Sequence, residues 1–234
     1  MSGLPPELDG LRIGLVTDLH HSALVSADDV VNAVRLIAGE RPDLVVLGGD
    51  YISFHDPAYV EPVAELLGQV AAPLGVFAIL GNHDDERLVT AALERRHIAV
   101  LADARTTLNA RGAAIELVGL KFWTRRRDAL ADLLKGAGRP VVLLAHDPRR
   151  VVEASALGIP CVLSGHTHGG QVVLPALGAL AARKFPVARG RFTLDHTELY
   201  VSAGIGTVVV PIRINCPPDV SVVTLRARGG PARG

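Results

Sequence analysis

The stretch Leu44-Val45-Val46-Leu47-Gly48-Gly49-Asp50 sets four apolar residues before two glycines and a carboxylate. An apolar run of this length without alternation reads as a strand buried on both faces, as in parallel sheets covered by helices. The same arrangement precedes it at 11–17, ending at Asp18, and follows it at 75–80, ending at Gly81-Asn82-His83-Asp84. Asp18 and Asp50 are 32 residues apart, and so are Asp50 and Asn82. One strand–loop–helix–strand unit takes about 30 residues or more, so the three polar positions occupy the same place in successive units. That place lies just past the carboxyl end of a strand, where open α/β sheets bind ligands. The three segments are expected to converge in space.

The intervals read as helices. Ser26-Ala27-Asp28-Asp29 is a capping-box-like start in which Asp replaces the usual Glu or Gln. It opens a helix carrying Val30, Val31, Val34, Leu36 and Ile37 that stops near Gly39 and Pro42. Further helices are expected near 59–70 and 85–96. After them the pattern changes. Segments 105–109 and 113–120 read as antiparallel strands around Arg111-Gly112, and 128–135 as a helix. A buried strand at 141–145 ends at His146, 148–157 is helical, and a strand at 161–163 ends at Ser164-Gly165-His166-Thr167-His168. Short β runs at 171–174, 198–202, 207–211 and 220–225 suggest a second, mixed or antiparallel sheet. The expected fold is α/β: a four-layer α-β-β-α sandwich of two mixed sheets flanked by helices. It is expected as one domain over 1–234, with its core at about 11–225 and a frayed tail at 226–234.

Composition narrows the function. The hydrophobic fraction is 49% and the aromatic fraction 4%, so the core is aliphatic. Lys+Arg and Asp+Glu both number 24, which leaves no global field to gather a polyanion and gives no sign of a dedicated nucleic-acid binder, local basic patches aside. Cys161, within an apolar run, reads as a small buried hydrophobe, and Cys216 lies in a Pro-rich turn. Their spacing proposes neither a disulfide nor a zinc site. No stretch reaches the roughly 18 apolar residues that a membrane span needs. Residues 1–10 lack a signal-peptide core. The expected location is cytoplasmic, with contact at the periphery of a membrane left open. The basic runs Arg125-Arg126-Arg127 and Arg183-Lys184…Arg189…Arg191 read as solvated faces, with substrate phosphate or an anionic membrane surface as the alternative.

Five of the nine histidines fall in five post-strand segments: Asp18-Leu19-His20, Gly49-Asp50, Gly81-Asn82-His83-Asp84, His146, and Gly165-His166-Thr167-His168. A single strand-end Asp is usually a cap, and His97 and His196 read as structural. The joint order D-x-H, G-D, G-N-H-D, G-H-x-H is another matter. Carboxylate, imidazole and amide oxygen together suit divalent Mn, Fe or Zn better than Mg or Ca. His21 and Gln171 are candidate substrate contacts, Gln171 following a Gly pair that either lets the chain curl back toward the site or simply turns it into the next strand.

These motifs resemble those of the calcineurin-like metallophosphoesterase superfamily, and within it the YkuE/YaeI-type bacterial phosphodiesterase branch. Thr17-Asp18-Leu19-His20, Gly81-Asn82-His83-Asp84, 163–171, Leu199-Tyr200-Val201-Ser202 and 211–218 carry the resemblance, which runs from about 11 to 225. The chain departs from the pattern at His21, where a smaller residue is usual, and in the Arg-rich segment 121–128. The resemblance implies two divalent transition-metal ions, with Mn favoured for activity. One would be held by Asp18, His20, Asp50 and His168, the other by Asp50, Asn82, His146 and His166. It implies in-line attack of a metal-bridging hydroxide on a phosphate ester, most readily a phosphodiester. His83 would be the general acid, and Asp84 would hold its other ring nitrogen and keep it cationic. The alternatives are a phosphomonoesterase or a lipid-linked sugar nucleotide pyrophosphohydrolase. The substrate would thus be a small or lipid-linked phosphoester. A non-enzymatic scaffold would have lost ligands, and here every position is filled. Oligomeric state stays open.

Overall fold

The computed structural model describes residues 1, 3–126, 128–138 and 140–227. Arg127 and most of the expected tail, 228–234, lie outside the described residues. Arg226 and Ala227 are held by Asp9, through a 3.2 Å ion pair and a 2.9 Å backbone bond.

The chain runs β1 (Arg12–Val16), α1 (Ala27–Gly39), β2 (Leu44–Leu47), α2 (Val60–Leu67), β3 (Val76–Ala78), α3 (Glu86–Glu94) and β4 (Ala99–Val100). It continues through β5 (Ala104–Ala110), β6 (Ala113–Leu120), α4 (Ala129–Leu133), β7 (Val141–Ala145), α5 (Val151–Ala156) and β8 (Cys161–Ser164). Last come β9 (Val173–Leu174), β10 (Gly178–Ala179), β11 (Gly190–Leu194), β12 (Thr197–Val201) and β13 (Ser221–Thr224). One sheet has the order β13-β1-β2-β3-β4 and the other β11-β12-β8-β7-β6-β5, with β10-β9 a separate two-stranded ribbon. β1, β2, β3 and β4 are mutually parallel and β13 closes the edge antiparallel. In the second sheet β6, β7, β8 and β12 are parallel while β5 and β11 run against them. Both sheets are mixed.

The side chains of each central strand alternate between layers, as the two-residue period of a strand requires. Leu44 and Val46 face the second sheet and pack with Leu15, Val142, Leu144 and Leu163. Val45 and Leu47 face the other way, onto the helices, with Val30, Ile37, Val63 and Leu93. Leu143 and Val162 line a third layer with Leu130, Val151 and Ala154 of α4 and α5. Three apolar layers between four structural ones make the α-β-β-α sandwich. They explain why these strands read as continuous hydrophobic runs.

At α1 the Ser26 side chain accepts from Asp29 N–H while the Asp29 carboxylate accepts from Ser26 N–H, which completes the capping box. Segment 207–211, expected as a strand, is not one: Val209 turns to φ 67° and Pro211 has no N–H to donate. Conversely, β11 falls in the segment that read as a basic face. There Phe192 and Leu194 alternate inward against the outer layer while Arg191 pairs outward with Glu198 at 2.6 Å. No described helix is long and apolar enough to cross a membrane.

Candidate metal centre

The parallel strands β1, β2, β3, β7 and β8 deliver Asp18, Asp50, Asn82, His146 and His166 at their carboxyl ends. The backbone continues the ladder one step beyond: Asp18 N–H donates to Gly49 O, and His20 N–H to Asp50 O. It then turns into a conformation L-residues seldom adopt. Asp18, His20, Asp50, His166 and His168 all have φ between 51° and 71°. Such strain persists only where the surroundings enforce it, and it gathers at functional sites. The surroundings here are tight. A methyl on Gly81 would overlap the Asp50 carboxylate, and one on Gly165 would overlap Asp18. His166 N–H donates to both oxygens of Asp18 at 3.0 Å, which ties the two sheets together across the centre.

Asp50 lies in the middle. Its Oδ2 is 3.4 Å from His20 Nε2 and 3.2 Å from His146 Nε2. Asp18 Oδ1 is 3.5 Å from His168 Nε2 and 3.8 Å from His146 Nε2. Asp18, His20 and His168 form one group whose ligand atoms lie within 4.8 Å of one another, and Asp50, His146 and His166 form another. The second ring nitrogens are anchored. His146 Nδ1 meets Gly48 O at 2.7 Å and His168 Nδ1 meets Gly206 O at 3.4 Å. A carbonyl only accepts, so both Nδ1 atoms carry a proton, and in the neutral ring Nε2 presents its lone pair to the centre.

His83 has the opposite tautomer. The Phe54 N–H donates to His83 Nδ1 at 3.0 Å, so that nitrogen must be bare and the proton sits on Nε2. Although His83 also lies within ligand distance of His20 and Asp50, neither of its nitrogens offers a lone pair to a metal in this state. Burial holds His83 below the usual imidazole range. It is therefore a neutral hydrogen-bond donor, not the cation expected from the sequence.

Asp84 also differs from expectation. Its carboxylate does not touch the His83 ring; it accepts the backbone N–H of Asp50, Tyr51 and Gly81, each at 2.8 Å. Burial and the neighbouring Asp50 charge push Asp84 up to about 6, against the pull of those three donors. Its task is to fix the loops that aim Asp50 and Asn82. His21 is buried, binds Val25 O through Nδ1 at 2.9 Å and stacks edge-on against Tyr59, so it braces its own loop. Gln171 lines a cleft beside His168, but its amide is engaged: it donates to Val210 O at 2.8 Å and accepts from Val208 N–H at 3.2 Å.

The donor set fits divalent metals. His20 Nε2, Asn82 Oδ1 and His146 Nε2 are buried and have no hydrogen-bond partner. Leaving such an atom unsatisfied costs about 1–3 kcal/mol, a cost that a coordinated cation removes. Electrostatics agree. Burial opposes ionisation of Asp18 and Asp50, yet the surrounding imidazoles hold Asp18 below and Asp50 well below the usual carboxylate range. Burial likewise opposes charge on His146, but Asp50 and Asp18 outweigh it and push the ring up to about 10. His166 and His168, more affected by burial than by the carboxylates, fall to about 4 and stay neutral. His166 and His168 thus stand as neutral ligands beside ionised carboxylates, while His146 must release its proton when a divalent cation binds.

Several site residues were not among the candidates read from the sequence. The Arg213 guanidinium is half-buried and donates to the carbonyls of Ala203 (2.8 Å), Gly204 (3.1 Å), Gly206 (2.6 Å) and His168 (3.3 Å). Gly206 O in turn receives His168 Nδ1, so Arg213 positions His168 at one remove. Arg213→Met is expected to weaken manganese binding by about 10–100-fold, read by titration calorimetry. Unchanged affinity would show that His168 needs no such clamp. Three of the five phenylalanines stand against site histidines: Phe54 is 5.2 Å from His83, Phe122 5.1 Å from His166, and Phe185 5.3 Å from His166. Their scarcity in the chain was the available signal.

Residues 11–170 match the family model described as calcineurin-like phosphoesterase. The chain is 30% identical over 234 residues to the Bacillus subtilis protein named uncharacterized metallophosphoesterase YkuE, covering 96% of this chain and 82% of that one. It is 29% identical over 228 residues to Escherichia coli phosphodiesterase YaeI, covering 92% and 82%. A dimetal phosphatase structure from Danio rerio superposes with a TM-score of 0.56 at 13% identity, covering 93% of each chain. The chain belongs to the calcineurin-like phosphoesterase family. It is a metal-dependent phosphoester hydrolase, similar over most of its length to YkuE and YaeI.

Proposed function

We propose that the chain hydrolyses phosphodiesters at a centre of two divalent metals that share Asp50. Asp18, His20 and His168 complete one set of ligands, and Asn82, His146 and His166 the other. The observation that carries this reading is the Asp50 Oδ2 atom, 3.4 and 3.2 Å from two buried imidazole nitrogens that make no hydrogen bond. When bound, such a pair lowers the pKa of water toward about 7 and neutralises charge on phosphoryl oxygens. Manganese, iron and zinc all suit the mixed N/O donors, and manganese is the choice for the assay.

The protein's own groups supply position and protons. Asp84 and Tyr51 hold the Asp50 loop, Tyr51 by donating to Leu47 O and Ile79 O. His83 offers Nε2–H as a hydrogen bond to the ester oxygen on which charge develops. The diester preference follows from charge. Two carboxylates already offset half of the metals' charge, and two nearby guanidiniums are engaged, Arg213 on carbonyls and Arg149 on Asp147. A diester brings one negative charge and a monoester nearly two. The relative from Escherichia coli is itself named a phosphodiesterase. The reading takes the chain as one domain, since the layer between the sheets draws on both halves of the sequence.

With manganese, bis-p-nitrophenyl phosphate should be cleaved at least about tenfold more efficiently than p-nitrophenyl phosphate, and EDTA should abolish both. Equal or better turnover of the monoester would overturn the diester reading, and activity that survives full chelation would overturn the metal centre.

A further inference from the structure

Beside His166 and His168 a cleft of about 510 Å³ opens from the centre to the surface. That volume is ample for a small ligand group. Its walls are Leu174, Leu180, Phe185 and the strip Val208-Val209-Val210. In a chain with so few aromatics, Phe185 touches His166 on one side and lines this cleft on the other.

Apart from the two histidines and Lys184, the polar side chains of the cleft are spent on backbone groups. Thr167 donates to Ala188 O at 2.5 Å, and Gln171 is bonded to the backbone of Val208 and Val210. Gln171 thereby holds a β-branched strip as a wall where no sheet holds it. Lys184, over the Phe185 ring, is the one Lys or Arg of the lining. A sugar or nucleobase is recognised by free donors and acceptors, and this cleft has almost none to give. The apolar lining is also open to solvent: Val209 is 74% exposed, Val210 46% and Leu180 42%. Aliphatic surface contiguous with a reaction centre marks a place for an apolar group.

Resting on the phosphoester reading above, we propose that this cleft is the subsite for an alkyl chain carried on one ester oxygen of the substrate. Its floor is made by His166 and His168, so a chain lying in it is continuous with a phosphorus at the centre. The favoured substrate is a phosphodiester with one long aliphatic ester.

The test uses manganese-loaded protein and alkyl p-nitrophenyl phosphates from methyl to octyl, all below micelle-forming concentrations. The expected result is a kcat/KM that rises roughly threefold per methylene until the cleft is filled. Leu180→Glu should cut the octyl-to-methyl ratio at least tenfold, and Val209→Lys, at an exposed position, should do the same where Leu180→Glu folds poorly. Calorimetry with octylphosphonate and methylphosphonate reads the subsite without turnover, and octyl should bind at least thirtyfold tighter. Turnover without dependence on chain length, or equal affinity for the two phosphonates, overturns the subsite and leaves the diesterase reading standing. Tight octyl binding with no ester turned over would keep the subsite and remove that reading. A chain-length effect confined to concentrations above micelle formation overturns the proposal in favour of surface adsorption.

Discussion

Asp50→Asn is expected to leave a folded protein that binds neither metal and cleaves bis-p-nitrophenyl phosphate at least about 10³-fold more slowly. The substitution keeps shape and removes charge. Asp50 Oδ1 now accepts His83 N–H at 2.8 Å, and an asparagine carbonyl can keep that bond. The new NH2 group then takes the place of Oδ2, facing His20 Nε2 and His146 Nε2. It offers those rings hydrogens, which satisfies the two buried nitrogens left without partners and supports the fold. It also blocks the lone pairs that a metal would use. Metal content by elemental analysis and circular dichroism together check the result. Two metals retained in the variant would mean that Asp50 does not bridge.

His83→Ala should do the reverse: both metals stay, and turnover falls. Neither nitrogen of His83 is available as a ligand, because Phe54 N–H occupies one and a proton the other. What is lost is the Nε2–H donor. A donor aimed at a developing oxyanion is worth about 10²–10³ in rate. The loss should fall on esters with poor leaving groups, such as alkyl alcohols, while p-nitrophenol, which carries its own charge, should lose tenfold or less. Kinetics on paired aryl and alkyl esters, with metal content measured alongside, decide it. An equal loss on both would move His83 from the leaving oxygen to general electrostatics.

Much of this centre was legible because strands and ligands share one local signal. Four apolar residues and a turn of glycine and carboxylate announce a strand end wherever the chain is read. Equal spacing of Asp18, Asp50 and Asn82 made three of those ends neighbours, and the layers of Leu44–Leu47 followed from burial on both faces. The parts that were not legible depend on contacts between distant segments. Asp84 sits next to His83 in sequence, which made it look like that ring's partner. The fold turns it instead toward three backbone N–H groups. The His83 tautomer is set by a backbone amide 29 positions away. Val208-Val209-Val210 has strand propensity, but no strand lies beside it, and Gln171 decides its shape. Arg213 lies in the resembling segment 211–218 but was given no role there, since a guanidinium serving five carbonyls looks in sequence like any surface charge.

The most direct test of the shared carboxylate is anomalous diffraction from crystals of the manganese-loaded protein. The expected map has two peaks about 3.5–4 Å apart on either side of Asp50 Oδ2, one in contact with Asp18, His20 and His168, the other with Asn82, His146 and His166. A single peak, or a pair that leaves Asp50 without a metal contact, would contradict it.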